Sequence, residues 1–341
     1  MRGALLLLAL ALPASASISN TGGSTAQFLR IGAGARALGM GDAFSAVAEG
    51  PAAIYWNPAG LAQQRRPELG YTHIELLDFF HHEHIAYAHP IPLLRGTLGT
   101  ALTFFYEDRQ DLVTNRNVKV GTFKNHSEVF AFAYARAFRI GHDWGMSDRD
   151  AFADLWRLGG AEMPLRPADE IWNGNLLLGL SLKGVRSTLY DRSATAFAVD
   201  GGAIFRHYAL SKMSLSFVFR NIGTKHRFIN KAQDLPAEFS FAAAFDQRWD
   251  RHRVLPVFEC VVPVYGVPTG RLGVEYSFPV SDDAYAAVRA GYKSLQAHEI
   301  GALSGLTGGI GFGYRHLSVD FGLQPMAVLG EAFRAEISYR F

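Results

Sequence analysis

From residue 69 to the C-terminus, apolar and polar residues alternate one by one in segment after segment, and this period of two limits the fold more than any other feature. In 332–341, Phe333, Ala335, Ile337, Tyr339 and Phe341 fall on one face, and Arg334, Glu336, Ser338 and Arg340 on the other. Met213, Leu215, Phe217 and Phe219 alternate with Ser214, Ser216 and Arg220. The pattern recurs in 238–246, 271–278, 309–315 and 319–324. A strand turns successive side chains to opposite sides, so each segment reads as a strand with one apolar and one polar face. Strands are predicted near 69–76, 83–92, 95–107, 127–139, 174–186, 195–208, 211–222, 235–247, 253–264, 269–279, 284–294, 306–316, 317–324 and 331–341. That makes about 14, and single-chain bacterial barrels have even strand numbers.

A soluble sandwich also alternates. Three features favour a membrane barrel. Aromatics collect near segment ends (Tyr276/Phe278, Tyr339/Phe341), as in interfacial girdles. The polar faces mix charges with glycines, which suits a wet or filled lumen. The last strand ends on an aromatic, Phe341, resembling the C-terminal signature of bacterial outer-membrane proteins. Composition agrees: 19% of residues are charged, below the roughly 25% of soluble proteins, and 13% are aromatic. After residue 16 no run approaches 18 apolar residues, which excludes helical spans. A net charge of +2 without a basic cluster excludes nucleic acid as main partner. The expected fold class is therefore all-β, a transmembrane antiparallel β-barrel of about 14 strands.

Residues 1–16 (MRGALLLLALALPASA) carry Arg2, a short apolar run and the small-x-small site Ala14-Ser15-Ala16. They are expected to be a cleaved signal peptide, with no cysteine for lipid attachment. The long links 108–126 and 140–173 are expected to be external loops. Within the second, 148–158 reads as a helix with Phe152, Leu155 and Trp156 on one side.

Residues 22–66 do not alternate and are rich in glycine and alanine. Their glycines lack the G-x-G-x-x-G spacing, and no Lys-Ser/Thr follows Gly41, so nucleotide binding is excluded. Small residues allow close backbone packing in a confined space. Ala43 to Ala48 and Ala52 to Tyr55 are expected to form helical turns, with Asn57 capping the turn that begins at Pro58. The run Gly32-Ala33-Gly34-Ala35-Arg36-Ala37-Leu38-Gly39-Met40-Gly41-Asp42-Ala43-Phe44, followed by Ala53-Ile54-Tyr55-Trp56-Asn57-Pro58-Ala59-Gly60-Leu61, resembles the N-terminal signature of the PorV/PorQ family. That family is related to the FadL/TodX fatty-acid-transporter barrels of bacterial outer membranes. Arg220-Asn221-Ile222-Gly223 and Ile337-Ser338-Tyr339-Arg340-Phe341 fit the resemblance as well.

The resemblance implies a fourteen-stranded barrel in the outer membrane of a Gram-negative-type bacterium. Residues 17–66 would fold into its lumen as a plug and 67–341 would form the wall. Gly32, Gly34, Arg36, Gly39, Gly41, Asp42, Asn57, Pro58 and Gly60 form the plug motif. Arg36, Asp42, Glu49 and Asn57 would pair with lumen charges such as Arg220, Glu275, Arg315 or Arg334, because buried charges need partners.

Chemistry is sparse. His81, His82, Glu83 and His84 are the densest group of possible ligands, but no third ligand accompanies His82 and His84 on their shared face. No G-x-S-x-G occurs, and the single cysteine, Cys260, sits in an apolar strand. Neither enzyme activity, metal nor cofactor is expected. The resemblance implies a type IX secretion component that contacts a translocon or exported proteins. The alternative is a FadL-like passage for long-chain fatty acids or other hydrophobic molecules, with Phe28, Leu29, Met40, Phe44, Tyr55 and Trp56 lining its pocket. The inward-facing Gly, Ser, Arg and Glu weigh against a greasy channel. Outer-membrane lipid is a partner in either case.

Overall fold

The computed structural model describes residues 23–77, 79–116, 118–140, 174–207, 213–228, 232–299, 301–327 and 330–341. The expected signal peptide and the helix at 148–158 lie outside them. The chain forms a closed antiparallel β-barrel of fourteen strands. They are β1 (Glu68–Leu76), β2 (Phe80–Ile91), β3 (Gly96–Glu107), β4 (His126–Ile140), β5 (Gly174–Leu189), β6 (Arg192–His207) and β7 (Met213–Gly223). The remainder are β8 (Glu238–Phe245, continued by Gln247–Trp249), β9 (His252–Pro263), β10 (Thr269–Pro279), β11 (Ala284–Lys293), β12 (Leu306–Tyr314), β13 (Leu317–Pro325) and β14 (Glu331–Arg340). Sequential strands pair, and β1 closes the ring on β14 with Glu68 opposite Arg340 and Leu76 opposite Ala332. Closure removes both sheet edges, so the ladder amides of the wall find partners within it.

The alternation decides which face meets lipid. Outward positions carry Leu102, Phe104, Phe130, Phe132, Leu180, Leu182, Phe241, Phe258, Ile310 and Phe312, all exposed. A continuous apolar outer band on a closed barrel is a membrane surface. Strands of 8 to 16 residues are long enough to cross it. Cys260 stands on this outward face, between Glu259 and Val261, which point inward and are buried.

Strand parity defines two rims. The proximal rim, where β1 starts and β14 ends, carries the links 92–95, 141–173, 208–212, 250–251, 280–283 and 315–316. The distal rim carries 77–79, 108–125, 190–191, 224–237, 264–268, 294–305 and 326–330. The two longest links therefore leave opposite ends of the barrel. The expectation that both are external loops is corrected on this point. Link length does not reveal a side, whereas counting strands between the links does. The distal link 108–125 folds into a small hairpin, Gln110–Val113 against Lys119–Phe123.

Residues 24–66 run through the lumen from the distal to the proximal rim. They contain a 3-10 turn (Gln27–Arg30), helices α1 (Ala35–Gly39) and α2 (Ala53–Trp56), and a second 3-10 stretch (Pro58–Gln63). The turn expected at Ala43–Ala48 is not helical, and a helix forms earlier, at α1. The reason lies in the wall: Glu336 Oε2 accepts the amides of Ala35 (2.9 Å) and Arg36 (3.4 Å) and so caps α1 from 300 residues away. At 44–45 the amides go to Glu259, at 2.9 and 3.0 Å, and the chain makes a single turn closed by the Val47 amide on the Phe44 carbonyl at 3.1 Å. Met40 and Gly41 press onto Gly273 of β10 and Gly291 of β11, which face each other across the ladder. A Cβ at either wall glycine would meet the backbone of Met40 or Gly41.

This contact predicts that Gly291→Val leaves the barrel closed but seats the segment less firmly, by about 1–3 kcal/mol of overpacking. The check is proteolysis of the detergent-extracted protein. Cleavage within 24–66 should accelerate while the heat-modifiable shift of the folded barrel on a gel is unchanged.

Candidate functional site: the seam between the N-terminal segment and the barrel wall

Three groups of charges cross the seam. Asp42 receives Arg334 Nη1 at 2.9 Å and the ammonium of Lys293, which also donates to Gln324 at 2.9 Å. Arg36 forks onto Glu275, Nε to Oε2 at 2.7 Å and Nη2 to Oε1 at 2.9 Å, and also pairs with Glu49. Arg289 joins Glu275 (2.7 Å) to Asp320 (2.6 Å). Arg220 donates to Glu238 at 2.8 Å and to the carbonyl of Trp56 at 3.0 Å. Such pairs repay the cost of desolvation only when most of their donors and acceptors are used, and Arg36, Glu275 and Lys293 each make two or more such bonds.

The motif residues occupy distinct places along the seam. Gly32 lies under the Trp56 ring, Gly34 (φ +90°) beside Glu336, Gly39 against Gly309, Gly41 against β10 and β11, and Gly60 against the carbonyl of Ala48. Asn57 Oδ1 accepts from the amide of Ala59 at 3.1 Å, which caps the stretch opened by Pro58. Its Nδ2 donates to the carbonyls of Ser45 (3.0 Å) and Ala203 (3.4 Å), so it meets backbone and no wall charge. Arg315 lies at the proximal rim, exposed and paired with Asp283 at 3.0 Å, so it takes no part in the lumen. Its position one residue beyond β12 puts it in a turn, which periodicity alone does not separate from the strand.

Sequence reasoning did not single out Lys293, Arg289, Glu259 or Glu336 as seam partners. Glu259 carried a usable signal, because it is the lone charge in the apolar run Val257 to Val262.

Of the six expected pocket residues, Phe28, Leu29 and Tyr55 meet at one cavity of about 20 Å³ in the distal half. That is room for about one water-sized group. His82 and His84 of β2, Thr103 of β3 and Lys183 of β5 complete its polar side. Met40, Phe44 and Trp56 are placed elsewhere: Met40 on the wall glycines, Phe44 edge-on to Trp56 at 6.0 Å, and Trp56 Nε1 donating to the carbonyl of Ala33. Among the described residues, no group of three or more His, Cys, Asp and Glu is placed to hold a metal ion.

The closed wall, apolar outside and filled inside by its own N-terminal segment, defines a plugged membrane-spanning β-barrel. No family model matches the chain, and no curated protein matches it. Among solved structures it is similar to a FadL homologue of Pseudomonas aeruginosa, at 11% identity and a TM-score of 0.49, over 90% of this chain and 98% of the other. It is similar to the toluene transporter TodX of Pseudomonas putida at 11% identity and 0.47, over 90% and 96%. For the KdgM porin the values are 8% and 0.35, over 80% and 99%. Scores at this level assign neither family nor cargo.

Burial pushes the Asp42 carboxyl up, but Arg334 and Lys293 outweigh it and hold the group well below the ordinary carboxylate range. Burial and Arg36 act on Glu49 in the same opposed way, again with a net lowering. A carboxylate lowered by folding stabilises above its unfolded pKa and loses that contribution as pH falls below it. The contribution of Asp42 and Glu49 to seating residues 24–66 should therefore be lost as pH falls from about 5 to about 3. Asp42→Asn should remove about 3–5 kcal/mol locally at neutral pH, because Lys293 and Arg334 stay buried without their anion. Hydrogen exchange of residues 35–45 over this pH range checks both statements.

Proposed function

We propose that this protein is a non-enzymatic outer-membrane barrel that passes small hydrophobic molecules through the distal cavity, past its N-terminal segment. The observation that carries the reading is the unequal anchoring of that segment. Residues 35–66 are fixed by buried ion pairs and by close backbone contact with wall glycines. The turn Gln27–Arg30, which covers the cavity, has lighter ties. Tyr55 Oη donates to the Leu29 carbonyl at 3.1 Å, Arg30 donates to the Tyr265 carbonyl at 3.3 Å and forms one long ion pair with Glu238 at 3.7 Å, and Phe28 stacks on Phe105 at 5.6 Å. A cavity of about 20 Å³ is far below the roughly 300–1,000 Å³ of ligand pockets, so cargo enters only when this turn shifts. The mostly short links of the proximal rim support a periplasmic assignment for that side. The outer-membrane placement rests on the apolar girdle together with the export signal read in residues 1–16.

The type IX secretion role rests on the resemblance of the 32–61 motif. It makes a different prediction: a tagged barrel extracted from its native membrane would carry translocon components or exported proteins. For the channel reading, Phe28→Ala/Leu29→Ala should enlarge the cavity and raise uptake of a small hydrocarbon into barrel-containing vesicles about tenfold. Equal uptake by vesicles with and without the barrel, together with co-purified secretion components, would reverse the reading.

A further inference from the structure

His82 and His84 stand two residues apart on the inward face of β2, and both line the distal cavity. They are 2% and 4% exposed. His84 Nδ1 is satisfied by the Thr103 hydroxyl at 2.9 Å. His82 Nδ1 and His84 Nε2 have no hydrogen-bond partner. Leaving buried polar atoms unpaired is destabilising, and in native structures such atoms call for an explanation. The rest of the cavity is apolar apart from the Tyr55 hydroxyl, which donates to the Leu29 carbonyl, and Lys183, whose ammonium is already engaged by Asp200 and by Asn221 Oδ1 at 3.1 Å.

We infer that these two imidazoles bind the hydroxyl head of an otherwise apolar molecule, such as a phenol or an alcohol. This deepens the channel reading and rests on it. The selection follows from donor and acceptor chemistry. A neutral imidazole offers one N–H and one bare nitrogen, and the Thr103 hydroxyl can satisfy His84 in either sense. A hydroxyl both donates and accepts, so it can satisfy two imidazole nitrogens at once whenever at least one of them carries its proton. A carboxylate only accepts, and its charge would enter a cavity whose one cation is already neutralised, which is costly. A hydrocarbon leaves both nitrogens unpaired. The volume of about 20 Å³ fits the head alone. The tail takes the space that Phe28 and Leu29 now fill.

The test titrates three near-isosteric probes, 4-ethylphenol, ethylbenzene and 4-ethylbenzoate, into the full-length barrel in nanodiscs at pH 7. Ligand-observed NMR reads the affinities, and ¹⁵N-histidine spectra read the imidazoles. The phenol should bind about tenfold tighter than ethylbenzene and shift the His82 and His84 nitrogen resonances. His82→Leu and His84→Leu should each erase that advantage. Equal binding of phenol and hydrocarbon by the wild-type protein, with unmoved imidazole resonances, overturns the hydroxyl site but leaves a hydrophobic channel standing. Preference for the benzoate overturns the choice of a neutral head. No binding of any probe overturns both the site and the channel. The wild-type comparison decides the matter even if the variants fail to fold.

Discussion

The salt bridges between Asp42 and the pair Lys293 and Arg334 hold two parts of the chain together that local structure would not join. A barrel of eight strands fills its interior with side chains, whereas one of fourteen leaves a lumen wider than they can close. In this protein residues 24–66 occupy that space. The inward wall face carries charge because it meets a segment that carries the opposite charge: Arg334 and Lys293 for Asp42, Glu275 for Arg36. Removing one partner strands the other in a place that water reaches poorly. The wall and its filling are therefore energetically a single unit, even though the hydrogen-bonded ladder belongs to the wall alone.

Anchoring is graded along the segment. From Ala35 to Gly60 the contacts are backbone against glycine and guanidinium against carboxylate, both intolerant of displacement. From Ser24 to Arg30 they are one bridge to Asp234, a few hydrogen bonds, aromatic stacking and one long ion pair, Arg30 with Glu238 at 3.7 Å. Motion has least to overcome at the distal end, where the cavity lies. The polar side of that cavity comes from the wall, and the apolar side from the segment together with Ala101, Val129 and Ala131 of the wall. A shift of the segment would therefore change the volume while leaving His82, His84 and Thr103 in register on their strands.

Much of the barrel was legible because alternation is a local signal with a direct structural consequence. Strands expected at 269–279 and 306–316 are observed at Thr269–Pro279 and Leu306–Tyr314. The seam was legible in part. The rule that a buried charge needs an opposite one named Arg36, Asp42, Glu275 and Arg334 as seam charges, but not which of them pair. Arg315 fails the same rule because it lies in a turn beyond the strand, where solvent and Asp283 satisfy it. Asn57 departs for another reason: an amide can satisfy itself on carbonyls and needs no charge. The helix at Ala35–Gly39 was not readable, since its cap is a carboxylate in the last strand.

What the sequence determined by itself is the type of element, its number and the face each strand turns to lipid, because a period of two survives whatever the strands pair with. The tertiary structure decided which charges meet and where the chain's own helical turns begin. It also decided that the two longest links leave opposite rims, and that two imidazoles share one cavity with Phe28 and Leu29. These depend on the closure of β1 onto β14 and on the path of residues 24–66 through the lumen. Contacts made across some 300 residues of chain leave no periodic trace in it.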